Sequence, residues 1–305
     1  MPKQYRAHIA LFVVNLIYGI NYTVAKDVMP DFIEPLGFIL LRVTGAVTLF
    51  WLVGRLFETD RIEKRHFPRL ILCGLFGVAG NQMLFFQGLN LTTPINAAII
   101  MTSNPVLVLI MSALLINERI TWVKILGIAL GAVGAILLIT GDGAAVDLLD
   151  NDKHFGNLLV FLNAASYAVY LVLVKPLMNH YRPITVIKWV FTFGLLFVAP
   201  FGWKQASAVN WSSMPAEIYM AVAFVVLGTT FLAYLLNTYA LKTVNPSVVS
   251  IYIYLQPVLA AFFALAVGSD RLTPLMLICA ALIFAGVYLV SKKPRNASRR
   301  EAQKH

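Results

Sequence analysis

Ten apolar runs of about 20 residues each, separated by short polar breaks, decide what this chain can fold into, because a run of that length matches the hydrocarbon thickness of a bilayer. They fall at 7–26, 32–54, 68–88, 94–116, 121–141, 155–174, 184–203, 217–240, 246–268 and 273–291. Strands of a membrane barrel would be half as long and would alternate in polarity, and these runs do not alternate, so the expected spans are helices. The runs take up most of the 305 residues, and charged residues make up only 12% of the chain. No stretch remains for a soluble catalytic domain or a nucleic-acid-binding module. The expected class is an all-α integral membrane protein.

The charges supply a topology. With an even number of spans both termini lie on one side, and all but five of the 24 basic residues then share that side. Lys26, Lys153, Lys204 and Arg271 face the other way, and Arg42 lies inside the second span. Nine of the fourteen acids gather on the opposite face: Asp27, Asp31, Glu34, Asp142, Asp147, Asp150, Asp152, Glu217 and Asp270. Cytoplasmic loops collect Lys and Arg, so both termini are expected in the cytoplasm of a multi-pass protein of the cell (inner) membrane. The net charge of +10 is therefore a topology signal and implies no nucleic-acid partner. The first run is too long for a signal peptide and lacks a small-residue cleavage site, so it is read as retained. Cys73 and Cys279 both sit in apolar runs and are read as buried hydrophobes, with no disulfide or metal site.

The chain also repeats itself. At an offset of 152 residues, the stretch from Thr93-Pro94 to Asn104-Pro105 meets Asn245-Pro246 to Gln256-Pro257. Glu118-Arg119-Ile-Thr121 then meets Asp270-Arg271-Leu-Thr273, and Gly134 meets Gly286. At a similar offset Tyr18 and Lys26 match Tyr167 and Lys175. Two five-span halves follow, at 7–141 and 155–292, with a basic cytoplasmic tail at 293–305. Five is odd, so the second half enters the membrane inverted. Inverted repeats recur in secondary transporters, where substrate sits near the midplane between the halves.

These paired patterns, with Gly127 and Gly134 after the first and Gly286 after the second, resemble the EamA-type repeats of the drug/metabolite transporter superfamily. Arg42 in Leu-Leu-Arg-Val matches an arginine common in the second span of that family. The resemblance covers 8–292 and implies ten helices around a central cavity, in many members an exporter of amino acids or other small metabolites. Two positions depart from the pattern: Asp270 replaces the usual glutamate, and Phe191 falls where a second Arg42 would stand.

Arg42 is the one charge well inside a span, and a buried arginine is costly unless paired or wet. Two readings stand: it snorkels or donates to backbone carbonyls, or it faces the cavity and grips a carboxylate or phosphate with its fork. The spans hold no acid or histidine at depth, which disfavours a carboxylate proton relay. Pro105 and Pro257 lie mid-span at matching positions and should kink their helices, freeing carbonyls near Met101 and Ile253. The remaining cavity candidates are Asn15, Tyr18, Tyr22, Asn81, Gln82, Asn104, Tyr167, Tyr234, Asn237, Tyr252 and Gln256, each of which could equally be glue between helices. Glu118-Arg119 and Asp270-Arg271 open the spans that follow them, beside Thr121 and Thr273. Capping accounts for them, and a gate at each end of a pathway is the alternative. Gly127, Gly131 and Gly134, and Gly74, Gly77 and Gly80, allow close helix approach within the monomer or at a homodimer face.

The expected function is a secondary transporter, exporting small polar or amphipathic metabolites by alternating access. It needs no cofactor or metal, and its partners are a small-molecule substrate and the bilayer. A non-saturable pore or a lipid scramblase is the competing reading. No phosphate-binding Gly-x4-Gly-Lys-Ser/Thr loop occurs and no catalytic constellation lies in the spans, so neither ATP hydrolysis nor an enzyme is expected.

Overall fold

The structure, a computed structural model, describes residues 3–56, 60–140, 153–259 and 273–292. Among these, every regular element is helical. In chain order they are α1 (Lys3–Val28), α2 (Pro35–Leu56), α3 (Lys64–Leu91), α4 (Asn96–Ile116) and α5 (Trp122–Thr140). Then follow α6 (His154–Asn179), α7 (Pro183–Ser207), α8 (Ala216–Thr243), α9 (Pro246–Leu259) and α10 (Pro274–Ser291). Eight of them are long and apolar enough to cross a membrane, and the other two are α1 and α9. The far part of the 246–268 run, together with Asp270, Arg271 and the basic tail, lies outside the described residues.

Helices form here because lipid offers no partner for a backbone N–H or C=O, so each must be satisfied within its own segment. Their starts are written in the sequence. Pro183, Pro246 and Pro274 each open a helix, where the missing N–H costs nothing. Thr121 Oγ1 accepts from the backbone N–H of Lys124 at 3.3 Å, and its repeat mate Thr273 accepts from Met276 at 3.3 Å. The same cap thus starts α5 and α10.

Packing follows the repeat. α1 lies along α8 and α3 along α6, which is one pairing made twice once α1–α5 is matched to α6–α10. Two further long contacts, α2 with α7 and α5 with α10, map onto themselves. That is the pattern of two halves related by a pseudo-two-fold axis. The α5–α10 contact is close because it is built on glycine: a Cβ on Gly286 would lie 2.5 Å from the carbonyl oxygen of Gly127. The glycine stripe of α5 is therefore occupied within the chain.

Two kinds of irregularity interrupt the helices, each at matching places in both halves. α4 breaks at Thr102-Ser103, and α9 tightens into a 3₁₀ turn at Tyr252–Tyr254, both just ahead of the mid-span prolines. Proline at 105 or 257 has no N–H to offer the preceding turn, so the ladder fails there. The hydroxyl of Tyr254 donates to the Thr102 carbonyl at 2.9 Å and ties the two breaks together. The second irregularity was not foreseen: α3 is π-helical over Leu75–Gly80 and α8 over Val225–Leu232. Shifted by the repeat offset, the first segment falls at 227–232, inside the second. Carbonyls loosened by the wider turn are capped by side chains: Ser166 Oγ donates to Phe76 O at 2.7 Å, and Thr230 Oγ1 to Val225 O at 2.8 Å.

Candidate functional site

Both irregularities converge on a cavity of about 120 Å³ between the halves, room for several waters or a small metabolite. Its polar wall comes from α1 (Asn15, Tyr18, Asn21), α2 (Arg42), α3 (Asn81, Gln82), α6 (Asn163, Tyr167), α8 (Tyr234, Asn237) and α9 (Gln256). The apolar wall includes Val14, Phe85, Phe86, Val249, Met101 and Ile253. Met101 and Ile253 are repeat mates at the proline breaks, so the breaks open onto the cavity.

Arg42 is 4% exposed. Its Nε donates to Thr230 Oγ1 at 3.1 Å, its guanidinium carbon lies 4.7 Å from the centroid of the Phe86 ring and 5.7 Å from that of Phe38, and Nη1 has no hydrogen-bond partner. The Thr230 hydroxyl spends its proton on Val225 O, which leaves its oxygen free to accept from the arginine. The π segment of α8 thus aims the guanidinium, and the aromatic faces hold it in plane. Among the described residues Arg42 forms no ion pair. Snorkelling is therefore not what the geometry shows: the charge stays inside, at the cavity wall.

Gln82, 3% exposed, has neither amide atom hydrogen-bonded. Oδ1 of Asn21 and of Asn163 is likewise buried and unpartnered. The other polar groups are spoken for. Asn163 Nδ2 donates to Asn81 O at 2.6 Å, and the Tyr234 hydroxyl lies 3.2 Å from Asn81 Oδ1 and 3.3 Å from Gly77 O. Asn237 Nδ2 donates to Tyr167 Oη at 3.2 Å, and Gln256 Nε2 to Asn15 Oδ1 at 3.0 Å. The result is a preset frame enclosing one guanidinium donor, one complete free amide and two amide oxygens. Buried polar groups normally pair, and a cluster left unpaired around an opening awaits a partner that arrives from solution. None of the cavity-lining residues is Asp, Glu or His.

Of the residues singled out from sequence, Arg42, Asn15, Tyr18, Asn81, Gln82, Tyr167, Tyr234, Asn237 and Gln256 line this one cavity. Asn104 and Tyr252 are placed elsewhere. Asn104 is fully buried and donates to Ala164 O at 2.8 Å, joining α4 to α6, while the Tyr252 hydroxyl meets His8 Nδ1 at 2.8 Å. The Tyr22 side chain lies outside the described residues, as do Asp270 and Arg271. Glu118 and Arg119 lie instead at a second cavity, beside the start of α9. Sequence reading passed over Asn21, Asn163, Phe85 and Phe86. The two asparagines carried a signal, an amide in an apolar run; the phenylalanines carried none.

A scaffold of membrane-length helices around a polar cavity able to hold a small solute is the architecture of a carrier. The EamA-like transporter family model matches residues 5–140 and 154–292, and this chain belongs to that family as a multi-pass membrane transporter. It is 26% identical to an uncharacterized transporter, YyaM, of Bacillus subtilis over 95% of this chain and 94% of that one. It is 25% identical to a protein of Streptantibioticus cattleyicolor named as a probable terminal-alkyne amino-acid exporter, over 87% and 86% of the two chains. A solved crystal structure 19% identical to it superposes with a TM-score of 0.77, covering 96% of this chain and 98% of that one.

Proposed function

We propose that this transporter exports a small metabolite bearing a carboxylate, an amino acid or a related compound, by alternating access in the inner membrane, with both termini in the cytoplasm. One observation carries the reading: a buried arginine without a carboxylate partner, whose free Nη1 shares a cavity with a free glutamine amide. A carboxylate would take the arginine fork, and an ammonium or amide N–H would find the oxygens of Gln82, Asn21 and Asn163. Tyr18, Tyr167 and Tyr234 add aromatic edges suited to an amphipathic side chain. The substrate class of one relative, an amino acid, agrees with this chemistry, as does the word exporter in its name. The basic cytoplasmic loops support the sidedness. The whole frame comes from one chain, so a monomer is sufficient and a homodimer is not required.

Counterflow of radiolabelled amino acids, nucleobases and organic anions into proteoliposomes tests the reading. Saturable uptake competed by carboxylated compounds and lost in Arg42→Ala is expected. Flux without saturation would mark a pore instead, and exchange of labelled lipid would mark a scramblase.

A further inference from the structure

The second cavity, about 430 Å³, lies where α1 begins, α4 ends, α8 gives way to α9 and α10 ends. Its walls include His8, Arg119, Lys124, Val248 and Lys292, with Glu118 among them. Arg119 and Lys292 are exposed, so it opens to solvent. A thin partition separates it from the central cavity. Val248 lines the one and Val249 the other, and along α1 His8 lines the one while Val14 and Asn15 line the other. The first two turns of α9 and the start of α1 therefore run from one space to the other.

The partition is pinned. Asn117, in the left-handed conformation at φ 54°, ends α4 and turns Glu118 back so that its N–H bonds Ser112 O at 3.0 Å. The Glu118 side chain is 4% exposed; Oε1 accepts from Lys124 Nζ at 2.6 Å and from the hydroxyl of Ser247, in the first turn of α9. Oε2 has no partner. A second pin, His8 to Tyr252, joins α1 to the 3₁₀ turn of α9. Lys175 Nζ, donating to Leu241 O at 2.5 Å and Val244 O at 2.7 Å, holds the chain just ahead of α9.

We propose that the second cavity is the antechamber of the transport pathway, a compartment for anionic metabolites, closed off from the central cavity by the first turns of α9, with Glu118–Ser247 as the latch. This rests on the carrier reading of the central cavity. The antechamber carries three cations, Arg119, Lys124 and Lys292, against the single carboxylate of Glu118, so its field draws a carboxylated solute towards the partition. Release of the latch detaches the first turn of the short segment Pro246–Ile251 from the end of α4, and the segment ends at the 3₁₀ turn, where the His8–Tyr252 bond marks a pivot. A latch needs only one bond to break. Glu118 keeps Lys124 when Ser247 leaves, so the carboxylate is never stranded without a counter-charge.

Single cysteines test this, with the parent chain as blank because Cys73 and Cys279 are both buried. A membrane-impermeant maleimide is applied to membrane vesicles of each orientation. Asn245→Cys, in the antechamber, identifies the side from which that compartment is reached. Ile253→Cys, in the central cavity, should label slowly from that side in the parent background. Adding Ser247→Ala, or independently Glu118→Ala, each of which removes the latch bond, should speed that labelling on the order of tenfold, the scale of one lost hydrogen bond to a charged group. Unchanged Ile253→Cys labelling in both latch variants overturns the proposal, as does labelling in the parent as fast as at Asn245→Cys. The readout needs no substrate, so it stands apart from any failure of the counterflow experiment.

Discussion

Arg42 and Glu118 are both buried charges, and the protein provides for them in opposite ways. Glu118 has a lysine at 2.6 Å and a serine hydroxyl, all supplied by the chain itself. Arg42 has a threonine hydroxyl and two aromatic faces but no counter-charge among the described residues. A buried charge left without a partner is expensive, so such a position persists where a ligand completes it. A buried charge with its partners built in joins one element of the chain to another and asks for no ligand. The contrast separates binding from bracing more cleanly than burial or polarity does.

Four substitutions can break or sharpen that contrast. Arg42→Ala should cost the most in transport, roughly 30-fold or more in kcat/KM, because removing one member of a buried charged hydrogen bond costs about 2–5 kcal/mol. Its melting temperature should hold or rise, since an unpaired charge is removed; a large loss of stability with transport intact would make Arg42 a bracing residue. Lys124→Ala should do the reverse, lowering stability by up to about 3 kcal/mol by stranding the Glu118 carboxylate, as read from thermal melts in detergent. Gln82→Leu should raise KM on the order of tenfold with stability unchanged, because the amide lost is one the fold leaves unused. Asn104→Ala should have the smallest effect, about 0.6 kcal/mol for one interhelical bond and transport within about twofold of the parent. A collapse of uptake there would return Asn104 to the binding site.

The helices and their starts were legible because apolar length, proline and threonine caps act locally. Pro105 and Pro257 announced the breaks, and these appear one turn upstream because it is the carbonyl of the preceding turn that loses its donor. Arg42 was legible for the same kind of reason, a lone charge in a run that should have none. Which way an amide faces was not legible: Asn104 and Gln256 occupy matching positions, yet one braces α6 and the other reaches the cavity. The two amides meet different neighbours, Ala164 O for the one and Asn15 Oδ1 for the other, and no local pattern records which neighbour comes within reach. The extent of burial at Glu118 was also hidden, since a loop position next to Arg119 reads as solvated until the packing of α9 is known.

The π segments of α3 and α8 fix more than a local widening. Each carries one more residue per turn than the α form, and an extra residue advances the helical screw by about 100°. Asn81 and Gln82 follow the first segment directly, and Tyr234 and Asn237 follow the second. Deleting a single codon within 75–80 or 225–232 would restore a regular helix and swing every residue beyond it about a quarter turn off the cavity. These two short stretches therefore set the reading frame of the pocket, and length variation is far less tolerable there than in the loops.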